Sequence, residues 1–148
     1  MNRFIEIQGE LVFKRYDLNS WEIIVDVLPV DLIGLILELQ LIDYNHLDSI
    51  IINSLKTKLN ISISKCTDDK HSQIQLLNSR YHIRLAKNHI EAILSYLLQY
   101  FRDAFAPVSH MHIDIYNSNI DGVGTFTIKA SVFAEPMSGE EAKKILGI

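Results

Sequence analysis

Residues 88–105 read NHIEAILSYLLQYFRDAF, and residues 110–132 read HMHIDIYNSNIDGVGTFTIKASV. In the first stretch, apolar residues recur every three or four positions, which is typical of a helix with one buried face. In the second, apolar and polar residues alternate on both sides of the turn-forming segment 117–122, which predicts an antiparallel hairpin. This part of the chain therefore predicts an amphipathic helix, ended by Pro107, and a two-stranded hairpin after it.

The N-terminal part of the chain also predicts strands. Alternation over residues 5–14 predicts a first strand with a bulge at Gly9, and residues 16–20 predict a turn after it. The apolar segment 32–42 fits the periods of a strand and of a helix equally well. Because Gly34 weakens a helix interior, a strand is favoured there.

The remaining elements complete an α+β pattern. The sequence predicts a strand over residues 21–27, a helix from Asn45 to Leu59, strands at residues 61–63 and 74–85, and a short helix over residues 138–146. Strands and helices in this order predict a single α+β domain. We expect a mostly antiparallel sheet with two main helices and a short C-terminal helix.

The composition predicts an ordinary globular domain of the cytoplasm. The 148 residues carry a formal net charge of −4, and 48% of them are hydrophobic. The N-terminus lacks the unbroken apolar core of a signal peptide, and the lone Cys66 cannot form an internal disulfide. The apolar run 28–42 is too short and contains too many polar residues to span a membrane. Acidity and the lack of a large basic cluster argue against nucleic-acid binding.

One predicted strand carries the best candidate for chemistry. His110, His112 and Asp114 alternate along it, so their side chains share one face and can approach a common metal ion. The segment partly resembles the His-x-His-x-Asp-His zinc motif of metallo-β-lactamase-like hydrolases, but Ile115 stands where that motif has its final histidine. We therefore expect no metal and no cofactor. The same face includes residues of the paired strand: Thr125, Thr127, Lys129 and Ser131.

No motif of a known catalytic class is present elsewhere. The sequence contains no Gly-x-Ser-x-Gly nucleophile motif and no glycine-rich loop between a strand and a helix that could hold a phosphate. The acidity of the domain and the lack of such motifs favour a binding protein over an enzyme. We expect a non-enzymatic protein-binding module.

The class that best fits size and charge is an immunity protein, which neutralises a bacterial toxin by direct binding. A basic toxin domain would be attracted by the negative charge of this chain. Acidic residues on the outer face of the first hairpin and the polar residues of the later strand are the candidate contacts. These residues are Glu6, Glu10, Glu22, Asp26, His110, His112 and Asp114.

Two alternatives remain open. The chain could be a small metal-dependent or acid–base enzyme that uses His110, His112 and Asp114. It could also be a self-associating structural or regulatory domain, a homodimer formed through a sheet edge or through the apolar run Leu28–Ile42. The candidate contacts are also what an ordinary solvated sheet face would present.

Overall fold

The computed structural model describes residues 2–17, 20–66, 71–103, 110–117 and 123–129, together with the single residues 140 and 144. Within these ranges the chain forms nine strands and two helices. The strands are β1 (Asn2–Ile7), β2 (Glu10–Asp17), β3 (Ser20–Asp26), β4 (Ser49–Ser54), β5 (Asn60–Lys65), β6 (Gln73–Leu77), β7 (Arg80–Leu85), β8 (His110–Asn117) and β9 (Val123–Lys129). The helices are α1 (Pro29–Asp43) and α2 (Lys87–Asp103).

The strands form two mixed sheets. The first sheet has the order β1-β4-β5-β7-β6, and the second has the order β8-β9-β3-β2. A short parallel contact of two residue pairs between β6 and β8 joins the sheets at one edge. The four hairpins β2–β3, β4–β5, β6–β7 and β8–β9 are antiparallel, while β1–β4, β3–β9 and β5–β7 are parallel. The α+β prediction is confirmed, and the parallel pairs between hairpins make both sheets mixed.

The topology contains the same unit twice. The run β2–β3–α1–β4–β5 is a hairpin, a helix and a hairpin, and the run β6–β7–α2–β8–β9 repeats that order. The two units pair with each other through equivalent strands. The last strand of the first unit, β5, pairs with the second strand of the other unit, β7, and the last strand of the second unit, β9, pairs with β3. The two helices contact each other. Side chains from both helices and both sheets make a single hydrophobic core.

One close approach fixes how β3 lies against β9. Trp21 is 1% exposed, and its ring lies across Gly124 of β9. A Cβ at Gly124 would lie 1.9 Å from the indole, so only glycine leaves room for the ring. Phe13 of β2 stacks on Trp21 with ring centroids 6.1 Å apart. The aromatic contact thereby joins three strands of the second sheet.

A buried carboxylate holds the corner between the two sheets. The Asp31 side chain accepts hydrogen bonds from the backbone N–H groups of Gln8 at 2.8 Å, Gly9 at 3.0 Å and Leu28 at 2.9 Å. Gln8 and Gly9 lie where the chain leaves β1 in the first sheet and enters β2 in the second, and Leu28 precedes α1. The side chain at the start of α1 therefore ties the helix to the corner.

Two predictions for residues 5–42 are wrong. Segment 32–42 lies in helix α1, where Pro29 opens the helix and Asp31 accepts the Leu28 N–H group. Gly34 lies on the exposed side of that helix, so it opens no gap in the core. The segment predicted as one strand over residues 5–14 is two strands in different sheets, separated by the corner at Gly9.

The predicted helix from Asn45 to Leu59 is also wrong, because its centre is strand β4. Three consecutive β-branched residues, Ile50, Ile51 and Ile52, favour a strand, and each is buried. Positive φ angles of 61° at Asn45 and 60° at Lys58 are incompatible with a helix that continues through those positions.

Most of the other predicted elements are confirmed. Helix α2 and the strands at residues 21–27, 61–63, 74–85 and 110–116 are confirmed over the described ranges. The later strand of the last hairpin is confirmed as far as Lys129. The predicted C-terminal helix over residues 138–146 lies outside the described residues, apart from residues 140 and 144.

Replacing Asp31 with alanine would leave three backbone N–H groups at the corner without their acceptor. We expect Asp31→Ala to lower the free energy of unfolding by about 3 kcal/mol, measured by urea denaturation. Asp31→Asn keeps one acceptor oxygen and should lose less.

The matched control is Glu91→Ala on the exposed surface of α2, where Glu91 pairs with Lys87 at 3.5 Å. This change should cost less than about 0.5 kcal/mol. A cost for Asp31→Ala no larger than that of the control would contradict the role given to the corner.

Candidate functional site

The outer surface of the second sheet, which we call the polar face, carries the candidate site. Side chains that point away from the core come from four adjacent strands, β2, β3, β9 and β8. The register places Lys14, Glu22, Thr125 and Asp114 in one row across the sheet, and Val12, Ile24, Thr127 and His112 in the next. Thus residues from the first and last hairpins meet on one surface.

Glu22 lies at the centre of the polar face and is only 8% exposed. The hydroxyl of Tyr16 donates a hydrogen bond to Glu22 Oε1 at 2.5 Å. The hydroxyl of Thr127 donates to Glu22 Oε2. Each carboxylate oxygen therefore has a donor, and the side chain is held in one orientation.

His112 extends this contact into a chain of three side chains. His112 Nδ1 lies 2.6 Å from the Thr127 hydroxyl oxygen and 3.5 Å from Glu22 Oε2. Because the Thr127 hydroxyl gives its own proton to Glu22, its oxygen accepts one from His112. This assigns the Nδ1–H form to the imidazole. The negative charge of Glu22 thus orients the His112 ring through a neutral hydroxyl.

The surroundings keep Glu22 ionised. Burial alone would raise the pKa of this carboxyl, but hydrogen bonds from Thr127 and Tyr16 and electrostatic attraction to His112 and Lys14 outweigh it, so the pKa lies below 4.5. The same contact raises the pKa of the Tyr16 phenol, because its proton is held by the carboxylate. At neutral pH the cluster therefore contains a fixed anion beneath a neutral phenol.

Two clefts adjoin Glu22 on the polar face. One, of about 320 Å³, lies toward Ser20 and Asp114, and the other, of about 190 Å³, lies toward Lys14 and Lys129. Glu22, Tyr16 and His112 line both clefts. Both are wide open to solvent rather than enclosed. A protruding side chain of a partner could enter either cleft, whereas little in them would exclude water from a reacting small molecule.

The structure places the predicted contact residues on two separate surfaces. Glu22, Asp26, His112 and Asp114 lie on the polar face, and Glu10 lies at its edge on β2. Glu6 lies on β1, in the first sheet, and so is separated from the others. The His110 backbone pairs with Lys129 on the same face, but its side chain lies outside the described residues.

Glu10 is partly neutralised where it lies. Its carboxylate contacts Lys56 Nζ at 2.7 Å, and this hydrogen bond and charge lower the pKa of Glu10. Both side chains are substantially exposed, so the pair adds little to stability. The negative charge of the polar face is therefore concentrated nearer its centre than at Glu10.

The sequence predicts Tyr16 in the turn over residues 16–20 and therefore does not indicate it as a site residue. In the structure it belongs to β2 and covers Glu22. A signal was present, because Glu10, Val12, Lys14 and Tyr16 continue the same alternation and should point to the same side. The connection from Glu22 to Thr127 had no local signal, since the two residues are 105 positions apart.

A metal site on this face finds no support among the described side chains. No three His, Cys, Asp or Glu residues within that set cluster closely enough to hold a metal ion. The predicted trio of metal ligands included His110, whose side chain is outside the set.

A second polar pair lies at the start of α2. The Ser72 hydroxyl lies 2.6 Å from His89 Nδ1 and accepts a hydrogen bond from the Ala86 N–H group at 2.9 Å. Burial and the nearby His71 lower the pKa of His89, so its Nδ1 can accept the Ser72 proton at neutral pH. Ser72 is fully buried and cannot reach a substrate. The pair therefore fixes the helix start rather than forming a nucleophile and base.

Comparisons with protein-family models, with curated proteins and with solved structures found no match to this chain. Within the described residues, neither helix has the length and apolar character needed to cross a membrane.

The low pKa of Glu22 gives a pH-dependent contribution to stability. A depressed pKa stabilises the folded state above the unfolded-state value near 4.5, and this stabilisation is lost as the pH falls through the lower folded-state value. We expect wild type to be more stable than Glu22→Gln at neutral pH, with the difference shrinking below about pH 4.5. Urea denaturation of both proteins across this range measures it. A difference that grows on acidification would contradict the assignment.

Proposed function

We propose that this chain is a non-enzymatic protein-binding module and that the polar face is its binding surface. The partner we propose is a basic protein domain, and the proposed role is that of a cytoplasmic immunity protein that blocks a bacterial toxin. Among the described residues, the two clefts on this face are open to solvent and accessible to a partner's side chains. Three observations support the proposal: the Glu22 carboxylate is fixed and ionised, Tyr16 is an exposed aromatic residue bonded to it, and the chain has a net negative charge.

The observation that carries the proposal is the fixed, ionised carboxylate of Glu22. Hydrogen bonds from Tyr16 and Thr127 orient it before any partner arrives. An arginine or lysine that enters the adjoining cleft would meet an anion that loses no further conformational entropy on binding. Such preorganised, nearly buried charges beneath an open surface are suited to recognising a cationic side chain.

Tyr16 supplies a candidate anchor beside this carboxylate. Its side chain is 62% exposed, while its hydroxyl is held by Glu22. Tyrosine is enriched among the residues that contribute most to protein interfaces, because it offers a large contact area and loses few rotatable bonds. Covering this ring would also desolvate the Glu22 contact beneath it.

The charge of the chain favours a basic partner. The formal net charge is −4, and Glu22, Asp26 and Asp114 lie together on the polar face. Lys14 and Lys129 lie on the same face, so its pattern is mixed and would select a partner with complementary acidic positions. Net attraction would speed association, and the mixed pattern would provide specificity.

Capture from native lysate with matched variants tests the proposal. We expect tagged wild type to retain one basic protein, and Glu22→Gln and Tyr16→Ala each to weaken its binding at least about tenfold. Glu91→Gln removes the same charge from an exposed site on α2, and Phe4→Ala removes an aromatic ring that is 66% exposed on β1. Both controls should bind as wild type does.

Affinity is then measured by calorimetry with the purified partner. If Glu22→Gln and Tyr16→Ala bind as tightly as their controls, the polar face is not the binding surface. If the captured protein is acidic, the electrostatic argument fails.

A second candidate function, an acid–base enzyme, is favoured by the chain His112–Thr127–Glu22. In the Nδ1–H form the other ring nitrogen, Nε2, can accept a proton, with Glu22 stabilising the imidazolium that results. A general base of this kind typically contributes about 100-fold or more to a rate. The variant Thr127→Val tests this candidate, with turnover of a generic ester, phosphoester or amide as the measurement. A fall in turnover of at least about 100-fold would favour the enzyme over the binding module.

A further inference from the structure

Helix α1 is apolar on its buried side and on its exposed side, and its charged side chains are buried. Asp31, Glu38 and Asp43 are all buried. The exposed positions between Pro29 and Asp43 are Val30, Ile33, Gly34 and Leu37. A helix that has one face on the core and the other in water is expected to carry polar residues on its outer face, and the exposed positions of α1 carry none.

Two of the three buried carboxylates, those of Asp31 and Glu38, have partners within the fold and are not available to the outer surface of the helix. Asp31 accepts three backbone N–H groups at the corner between the sheets. Glu38 forms an ion pair with Arg3 of β1 at 2.9 Å. The outward side of α1 is thus left without a charged residue of its own.

The outward residues form a continuous band, which we call the apolar stripe. Val30 is 71% exposed, Ile33 59%, Leu37 52% and Tyr44 67%, with the half-buried Leu41 between the last two. Their spacings along the chain are three, four, four and three residues. This is the spacing of a seam at which two helices pack side by side.

We propose that two copies of this chain pair through their apolar stripes to form a symmetric dimer. A seam of this kind is self-complementary, because a two-fold axis brings the same residues of each helix together. Gly34 lies within the stripe, and a Cβ built on it meets nothing within 4 Å. The absence of a side chain there lets the two helix backbones approach closely where they cross.

A second copy fits the stripe better than a lipid surface or a charged partner does. Two cations contact α1, Arg3 through Glu38 at 2.9 Å and Lys65 through the Asp43 carbonyl oxygen at 2.9 Å, so both are already engaged by the fold. The net charge of −4 also disfavours anionic lipid, whereas helices that bind membranes carry lysine or arginine along their edges. The stripe offers on the order of 500 Å² of apolar surface, at the upper end for a monomer. Two stripes face to face would bury at most about 1,000 Å², which is the smallest area expected of a biological interface and is typical of one that dissociates readily.

The dimer would leave the polar face uncovered. The helices lie on the core side of the sheets, whereas Glu22 and His112 point away from the core. Each copy could therefore bind its own partner. The inference does not depend on the proposed function, because self-association involves different residues.

Analytical ultracentrifugation tests the dimer. We expect wild type to sediment with twice the monomer mass at concentrations up to about 100 µM and to dissociate on dilution. Leu37→Lys should be a folded monomer across that range, because two lysines would meet at the seam. Val30→Lys provides a second, independent disruption at the most exposed position of the stripe.

The matched control is Leu98→Lys, which introduces the same charge at an apolar residue that is 43% exposed on α2. It should remain dimeric, and circular dichroism should show native folding for every variant compared. A wild type that is monomeric at the highest concentration would overturn the proposal. So would folded Leu37→Lys and Val30→Lys variants that dimerise as tightly as wild type.

Discussion

The contact of the Asp31 carboxylate with three backbone N–H groups is the constraint from which the rest of the architecture follows. It joins the end of β1, the start of β2 and the entry to α1, so it sets where the chain passes from one sheet to the other. Gly9 completes this corner, since a Cβ there would lie 1.9 Å from the Asp26 carbonyl oxygen. Once β2 starts at the corner, its register places Lys14 beside Glu22, and Tyr16 follows two residues later and bonds to the same carboxylate. The candidate site thus depends on a carboxylate that lies on the other side of the sheet.

The polar face is a product of tertiary structure rather than of any one segment. Glu22 belongs to the first hairpin, and Thr127 and His112 belong to the last, so the chain His112–Thr127–Glu22 exists only because β3 and β9 pair in parallel. That pairing in turn requires Gly124, which leaves room for Trp21 on the core side. The packing on one side of the sheet therefore sets the register of the polar residues on the other.

Strongly periodic segments could be predicted from the sequence, and ambiguous ones could not. Helix α2 and the last hairpin follow from regular apolar spacing, and alternation alone placed His112 and Asp114 on one outward face. The prediction for segment 32–42 is wrong because its leucines fit the period of a strand and the period of a helix equally well. Tertiary contacts therefore determine that the segment is helical. The sequence does not predict β4, because Asn45 fits a helix N-cap and the apolar residues after it also fit a helical period, although the β-branched run at Ile50 favours a strand. The meeting of Glu22 with Thr127 had no signal in the sequence, since it depends on a parallel pairing between distant strands.

The central claim is that Glu22 is a fixed, ionised carboxylate whose state is set by Thr127, Tyr16 and His112. A carbon-detected NMR titration of the Glu22 side chain, in wild type and in Thr127→Val, measures it most directly. The account predicts a pKa below 4.5 in wild type and a higher pKa when the Thr127 hydroxyl is removed. A wild-type pKa at or above 4.5, or a value that Thr127→Val leaves unchanged, would contradict it.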